Sequence, residues 1–169
     1  MDAQAITQLI CEVEMTEFEI AHVEKAGGHP VTKFLSNIVP ELQGNDLAIQ
    51  THMPVSVSWD HQAVYAHVDG KIIAAIQFSF NDWNRSVTTG YAYTLPEYRK
   101  KGINSELIAA IESIAREQGY RRIVRETSVR NLDAIGAFEN AGYKKASVVY
   151  VKEVLSEEDF LKMNHLGKT

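Results

Sequence analysis

Between Gln62 and Gly142 the spacing of apolar positions changes from a strand period to a helix period and back. Ala63 to Val68 and Lys71 to Phe80 are strand-length runs rich in Val, Ile, Tyr and Phe, separated by Asp69-Gly70. Asp-Gly supplies the positive φ angles of a type I′ turn, so the spacing predicts a β-hairpin. The polar stretch Asn81 to Ser86 leads into a third strand over Val87 to Leu95. Pro96 ends that strand, because it has no N–H to give a ladder. From Gly102 the period lengthens. Ile103, Leu107, Ile108, Ile111, Ile114 and Ala115 fall on one helical stripe, with Glu106, Glu112, Arg116 and Glu117 off it. This predicts a helix from about Gly102 to Gln118, stopped by Gly119. Arg122 to Val129 reads as a strand, Leu132 to Ala141 as a helix that Gly142 ends, and Lys144 to Leu155 as the last strand material. A strand–helix–strand unit implies a right-handed crossover and a parallel pair, Val87–Leu95 beside Arg122–Val129.

Upstream the pattern is weaker. Residues 5 to 26 suit an opening helix or an opening strand, and the periodicity does not decide. After Gly27-Gly28, Pro30 starts a helix with Val31, Phe34, Leu35 and Ile38 on one face, ending around Pro40. Residues 43 to 60 read as an irregular connection. His52, Met53, Trp59, Asp60 and His61 lie at its end; loop packing is their default, and lining a substrate pocket is the alternative. Ser156 to Leu161 opens a short helical tail, with Ser156 and Asp159 resembling a capping box.

Composition narrows the class. A chain of 169 residues, 45% hydrophobic, suits one domain over 1–169, with a core at about 62–155 and a C-terminal tail at 156–169. A net charge of −5 argues against a general nucleic-acid or anionic-membrane binder. No run approaches the roughly 18 apolar residues of a membrane span, and Met1-Asp2-Ala3-Gln4 lacks the basic start of a signal peptide. Cys11 is the only cysteine, so no intrachain disulfide forms, which fits a cytoplasmic location. Six histidines show neither H-E-x-x-H nor clustered spacing, and no metal is expected.

The chemistry is concentrated at Pro96 to Ser105. Strand, single-glycine loop and helix N-terminus together favour an anion, since first-turn N–H groups have no helical partner and the dipole adds about half a positive charge. Arg99, Lys100 and Lys101 add three formal charges. Neither G-x-x-x-x-G-K-[ST] nor G-x-G-x-x-G is present. Arg99-Lys100-Lys101-Gly102-Ile103-Asn104 instead resembles the acyl-CoA loop of the GNAT acetyltransferase superfamily, [RQ]-x-x-G-x-[GA]. Asn104 departs where Gly or Ala is usual; Asn tolerates left-handed and cap geometry well. The bland reading of the loop is an exposed basic turn.

A second stretch, Thr127 to Tyr143, resembles the family's strand-to-helix motif V-x-x-N-x-x-A-I-x-L-Y-E-K-x-G-[FY], some 30 residues on as counted from Gly102 to Asn131. The resemblance implies a mixed α/β fold: a mostly antiparallel sheet with a central splayed parallel pair and helices on both faces. It implies acetyl-CoA as co-substrate, with no metal. Backbone groups of Tyr93, Thr94 and Leu95 would meet the pantetheine amides, Arg99 to Ser105 would hold the diphosphate, and Asn131 would lie beside the pantetheine arm. The acceptor would be a primary amine of a small molecule or peptide, and a homodimer stays open. Where the family often has a tyrosine that protonates the leaving thiolate, this chain has Phe138. Arg125 departs from the usual aliphatic residue, either pairing with a carboxylate or binding an acidic group of the acceptor. For the base that removes the amine proton, Glu126 is the first candidate and Asp82 the second. A catalytically weak CoA-binding sensor or scaffold is the rival reading, motivated by Phe138.

Overall fold

The Asp69–Gly70 turn has the two positive φ angles, 48° and 77°, that a type I′ hairpin needs, and the sheet is built outward from it. The computed structural model describes residues 17–38, 40–41 and 61–146. In chain order the elements are β1 (Glu19–Val23), α1 (Pro30–Leu35), β2 (Gln62–Val68), β3 (Lys71–Asn81), β4 (Ser86–Thr94), a 3-10 turn (Pro96–Tyr98), α2 (Ile103–Glu117), β5 (Arg122–Arg125) and α3 (Leu132–Asn140). The undecided N-terminal segment is therefore a strand over Glu19–Val23. Readings that fall on residues 5–16, 42–60 and 147–169 lie outside the described residues.

The sheet order is β1-β2-β3-β4-β5. The first four strands are antiparallel and β5 joins β4 in parallel. This is the mixed α/β architecture expected, with helices on both faces. The stripe of α2 (Ile103, Leu107, Ile108, Ile111 and Ala115) packs with Val64, Ala66, Ala74, Ile76, Phe78 and Val87 on one side of the sheet. Val31 and Leu35 of α1 pack with Ala63, Ala75 and Tyr91 on the other. Burying a Leu or Ile side chain contributes about 1.5–3 kcal/mol, so α2 is held by its apolar stripe rather than by helix propensity alone.

By its contacts the chain divides into two compact units, Met1–Leu132 and Asp133–Thr169. The sheet, α1 and α2 belong to the first. In the second, the last turn of α3 closes through Ala141 N–H to Ala137 C=O and Gly142 N–H to Glu139 C=O. Gly142 there takes φ 85°, the left-handed stop that glycine permits. Lys145 pairs with Glu139 at 2.9 Å.

Candidate functional site

The parallel ladder between β4 and β5 is short. It runs from Ser86↔Arg122 to Thr89↔Arg125 and stops. The strand expected to reach Val129 ends at Arg125, so β4 continues from Gly90 to Thr94 without β5 beside it. At the same register β4 carries a bulge. Ile76 pairs with Ala92 and Phe78 with Thr89, so two residues, Gly90 and Tyr91, oppose the single residue Gln77. A bulge bends the strand that carries it and raises its twist, which turns β4 away from β5 and leaves an opening. Leu95 N–H donates to Ile73 C=O at 2.9 Å, so that amide belongs to the β3 ladder. Period-two alternation puts the amide of Tyr93 on the β3 side as well, and those of Ala92 and Thr94 on the open side. Of Tyr93 to Leu95, then, Thr94 is the residue whose N–H faces away from β3, its C=O being taken by Arg99 Nε.

Pro96 to Ser105 forms the cradle beyond the strand. Lys100 (φ 61°) and Gly102 (φ 80°) are both left-handed, which folds the chain back to start α2. Ser105 and Glu106 N–H both turn onto Gly102 C=O, at 2.9 and 3.3 Å. The N–H groups of Ile103 and Asn104 have no preceding helical acceptor and face the N-terminal end. Ile103 is 2% exposed, so its side chain anchors the turn while its N–H stays available. Among the described residues, its chain neighbours apart, no atom lies within 4 Å of where a Cβ on Gly102 would sit. The position is open to a ligand, and a side chain there would intrude on it. Lys101 lies over the Tyr98 ring, 5.2 Å from its centroid, and Lys100 is exposed. The arrangement fits a diphosphate: directed N–H groups, two ammonium groups and room for close approach.

Arg99 is differently employed. Its Nε donates to Thr94 C=O at 2.9 Å and its Nη2 to Glu41 Oε1 at 2.6 Å. Its guanidinium lies 5.7 Å from the Tyr93 ring centroid. Arg99 therefore closes the end of β4 and ties it to the segment after α1. Tyr93 in turn meets Phe34 of α1 edge-on at 5.4 Å. Phe34 also lines a groove of about 460 Å³ with His29, Lys33, Tyr65 and Ile72, a volume that suits a small molecule. Tyr91, 8% exposed, forms part of the same side of the sheet, and burial raises its hydroxyl above the usual tyrosine range.

The two base candidates are separated. Glu126 is exposed and follows the last residue of β5, which places it at the mouth of the opening. Asp82 lies in the β3–β4 turn, at the other end of β4 from the cradle; nine residues of strand set them about 30 Å apart. Its carboxylate accepts from the Tyr120 hydroxyl and sits 3.6 Å from Arg85. Arg85 also donates to the Gln118 and Gly119 carbonyls at 3.1 Å, closing the C-terminal end of α2. Asp82 is thus part of a structural tie, not of the opening. Asn131 directly precedes α3, in a turn where its N–H donates to Ser128 C=O at 3.0 Å. In the second unit the Phe138 ring meets Tyr143 at 5.9 Å.

Two residues here are not in the expected set: Glu41 and Gln77. A polar residue inside the apolar run Ile72 to Phe80 marks Gln77, and a glycine inside a strand marks the bulge opposite it. Nothing in sequence spacing joins Glu41 to Arg99.

The Acetyltransferase (GNAT) family profile matches residues 39–143. An N-alpha-acetyltransferase, MAK3 of Arabidopsis thaliana, is 27% identical over 140 residues, covering 81% of this chain and 73% of that protein. N-acetyltransferase 8B of Homo sapiens is 39% identical over 49 residues, covering 29% of this chain and 22% of that protein. Among solved structures, a ribosomal-protein-alanine N-acetyltransferase from Brucella melitensis biovar Abortus 2308 superposes with a TM-score of 0.60 at 17% identity, over 81% of this chain and 99% of that one. The aminoglycoside N-acetyltransferase AAC(6')-Iy in complex with CoA gives 0.58 at 18% identity, over 81% and 100%. At these identities the two structures speak to the fold.

Proposed function

The chain belongs to the GNAT acetyltransferase family, and from that premise we propose that it moves an acetyl group from acetyl-CoA to a primary amine of a small molecule or peptide, by direct attack in a ternary complex. The observation that carries the reading is the opening between β4 and β5 with the Gly102 cradle at its end. A diphosphate rests on the N–H groups of Ile103 and Asn104, with Lys100 and Lys101 as counter-charges and Ser105 at the rim. The pantetheine arm runs along the open side of β4 at Thr94, toward Asn131. The acceptor approaches from the α1 side, where the groove lies.

The neutral amine attacks the thioester carbonyl carbon. A C–N bond forms, the C–S bond breaks and its electron pair leaves on sulfur. Glu126 at the mouth takes the proton released from nitrogen, directly or through water, and the sulfur takes up one proton to become a thiol. Phe138 has no proton to give. A thiol pKa near 8.5 makes the thiolate a tolerable leaving group, and positioning supplies much of the rate. Another tyrosine or a water takes the place of the missing hydroxyl.

Phe138 also motivates the second reading, a CoA-binding domain with little turnover. A CoA-thiol release assay over peptides, polyamines and aminoglycosides separates the two. Turnover of any acceptor supports transfer; tight CoA binding without turnover supports the second reading. Within the same assay, Phe138→Tyr is expected to be neutral or harmful, because a pocket adapted to phenyl crowds an added hydroxyl. A gain of tenfold, about 1.4 kcal/mol of barrier, would show instead that the native site lacks its acid.

A further inference from the structure

Gln77 is buried in β3, 2% exposed, at the register where β4 has just left β5. It follows Ala75 by two residues, and Ala75 packs on the α1 side, so Gln77 faces that side too. Its amide nitrogen donates to His61 Nδ1. Its Oε1 has no hydrogen-bond donor among the described residues. That oxygen is turned toward the bulge: a Cβ built on Gly90 would meet it at 3.4 Å, with the rest of the Gln77 side chain alongside at 3.5 and 3.7 Å. A buried carbonyl oxygen without a donor costs about 1–3 kcal/mol. A folded protein keeps such a group where something else supplies the donor.

We propose that Gln77 is the residue that positions the acceptor, its Oε1 accepting a hydrogen bond from an N–H of the incoming primary amine as that amine reaches the Gly90–Tyr91 bulge. The inference rests on the acetyltransferase reading and adds a specific ligand for the acceptor. The chemistry selects the amine. Oε1 is an acceptor only, so it pairs with an N–H donor and rejects a carboxylate or phosphate. Holding one N–H leaves the nitrogen lone pair free to point at the thioester. His61 fixes the direction: with Nδ1 accepting from the amide, the imidazole carries its proton on Nε2 and the amide oxygen stays toward the opening. Glycine at 90 leaves the space beside Oε1 empty: a methyl group there would stand at ordinary contact distance, 3.4 Å, and a larger side chain would fill the path. Gln77 itself transfers no proton.

The test is steady-state kinetics on the full chain with acetyl-CoA and the best acceptor among a hexapeptide with a free N-terminus, spermidine and kanamycin. Gln77→Met keeps length and burial without the amide. It should lower kcat/KM for the amine at least tenfold while the KM for acetyl-CoA stays within twofold. Gln77→Glu restores an acceptor oxygen, with His61 switching tautomer to donate, and should recover most of the loss. A folded Gln77→Met variant whose amine kcat/KM stays within twofold of wild type overturns the proposal and leaves the acetyltransferase reading intact. If Gln77→Met does not fold, Gly90→Val replaces it, its two methyl groups filling the space beside Oε1: a loss confined to the amine supports the proposal, and unchanged amine kinetics overturn it. Wild type that acetylates none of the three amines removes the acetyltransferase reading, and this inference with it.

Discussion

At the scale of single residues, Gly102 and Lys101 contribute to the cradle in different ways. Gly102 is held at φ 80°, where an L-residue is strained by about 1–2 kcal/mol, and its open face is the space a ligand would use. Gly102→Val should therefore weaken CoA binding through lost approach, with a modest stability cost from strain. Lys101→Glu should weaken binding through charge alone and leave the melting temperature unchanged. Isothermal calorimetry with CoA checks both, and wild-type affinity in the pair would remove the diphosphate from this loop. Arg99 is a different matter. The sequence places it with the lysines as a third phosphate cation, yet its guanidinium is held by Thr94 and Glu41. A linear reading sees its charge but not a partner 58 residues away.

At the scale of elements, patterns set by neighbouring residues were legible and those set by distant ones were not. The Asp69–Gly70 hairpin, the stop at Pro96 and the α2 stripe each follow from local chemistry, and each is present as expected. The length of β5 is not local. Glu126 to Val129 have suitable residues for a strand, but β4 bends away at Gly90 and leaves nothing to pair with. The α2 stripe allows a direct test. Leu107 is 0% exposed within the core, so Leu107→Ala should cost about 2–5 kcal/mol, read as a lowered urea midpoint; an unchanged midpoint would mean the helix does not pack on the sheet. The turn after β3 gives a second test. The hydrogen bond to Asp82, then desolvation and the Asp82 charge, raise the Tyr120 hydroxyl above its ordinary value of 10 against a smaller opposing effect of Arg85. The folded state thus keeps this proton to higher pH than the unfolded chain does. The resulting stabilisation is complete below about pH 10 and is lost as pH rises through the raised native value. Tyr120→Phe should flatten that alkaline decline in stability, measured by denaturant titration between about pH 8 and 11. Tyr91 acts with the same sign in both proteins, so an identical decline in the two would remove Tyr120 as its source.

At the scale of the whole molecule, the cationic cradle belongs to a chain of net charge −5. Two consecutive lysines, Lys100 and Lys101, beside an Arg99 already paired with Glu41, make a local field on an acidic protein that draws polyanions to one end of the sheet and discourages them elsewhere. Affinity for CoA should fall several-fold as salt rises from about 0.05 to 0.5 M, because the Debye length shrinks from about 14 Å to about 4 Å. A calorimetric Kd that ignores salt would assign binding to contacts other than charge.

The bulge at Gly90 and Tyr91 is also a matter of counting. Val87 packs on the α2 side of the sheet and Tyr91 on the α1 side, although four residues apart on a regular strand they would share a face. One supernumerary residue inverts the parity of everything after it. Deleting Gly90 would restore strict alternation with every face kept: Tyr91 and Tyr93 stay on the α1 side and Ala92 on the α2 side, and only the bend is lost. The same deletion anywhere else in the strand, or one further inserted residue, has no extra residue to absorb it and would put part of the strand on the wrong side of the sheet. Deletion of Gly90 should therefore leave soluble protein where deletions elsewhere in the strand do not, and a deletion library over Thr88–Tyr93, scored separately for solubility and for CoA binding, would reveal whether it does.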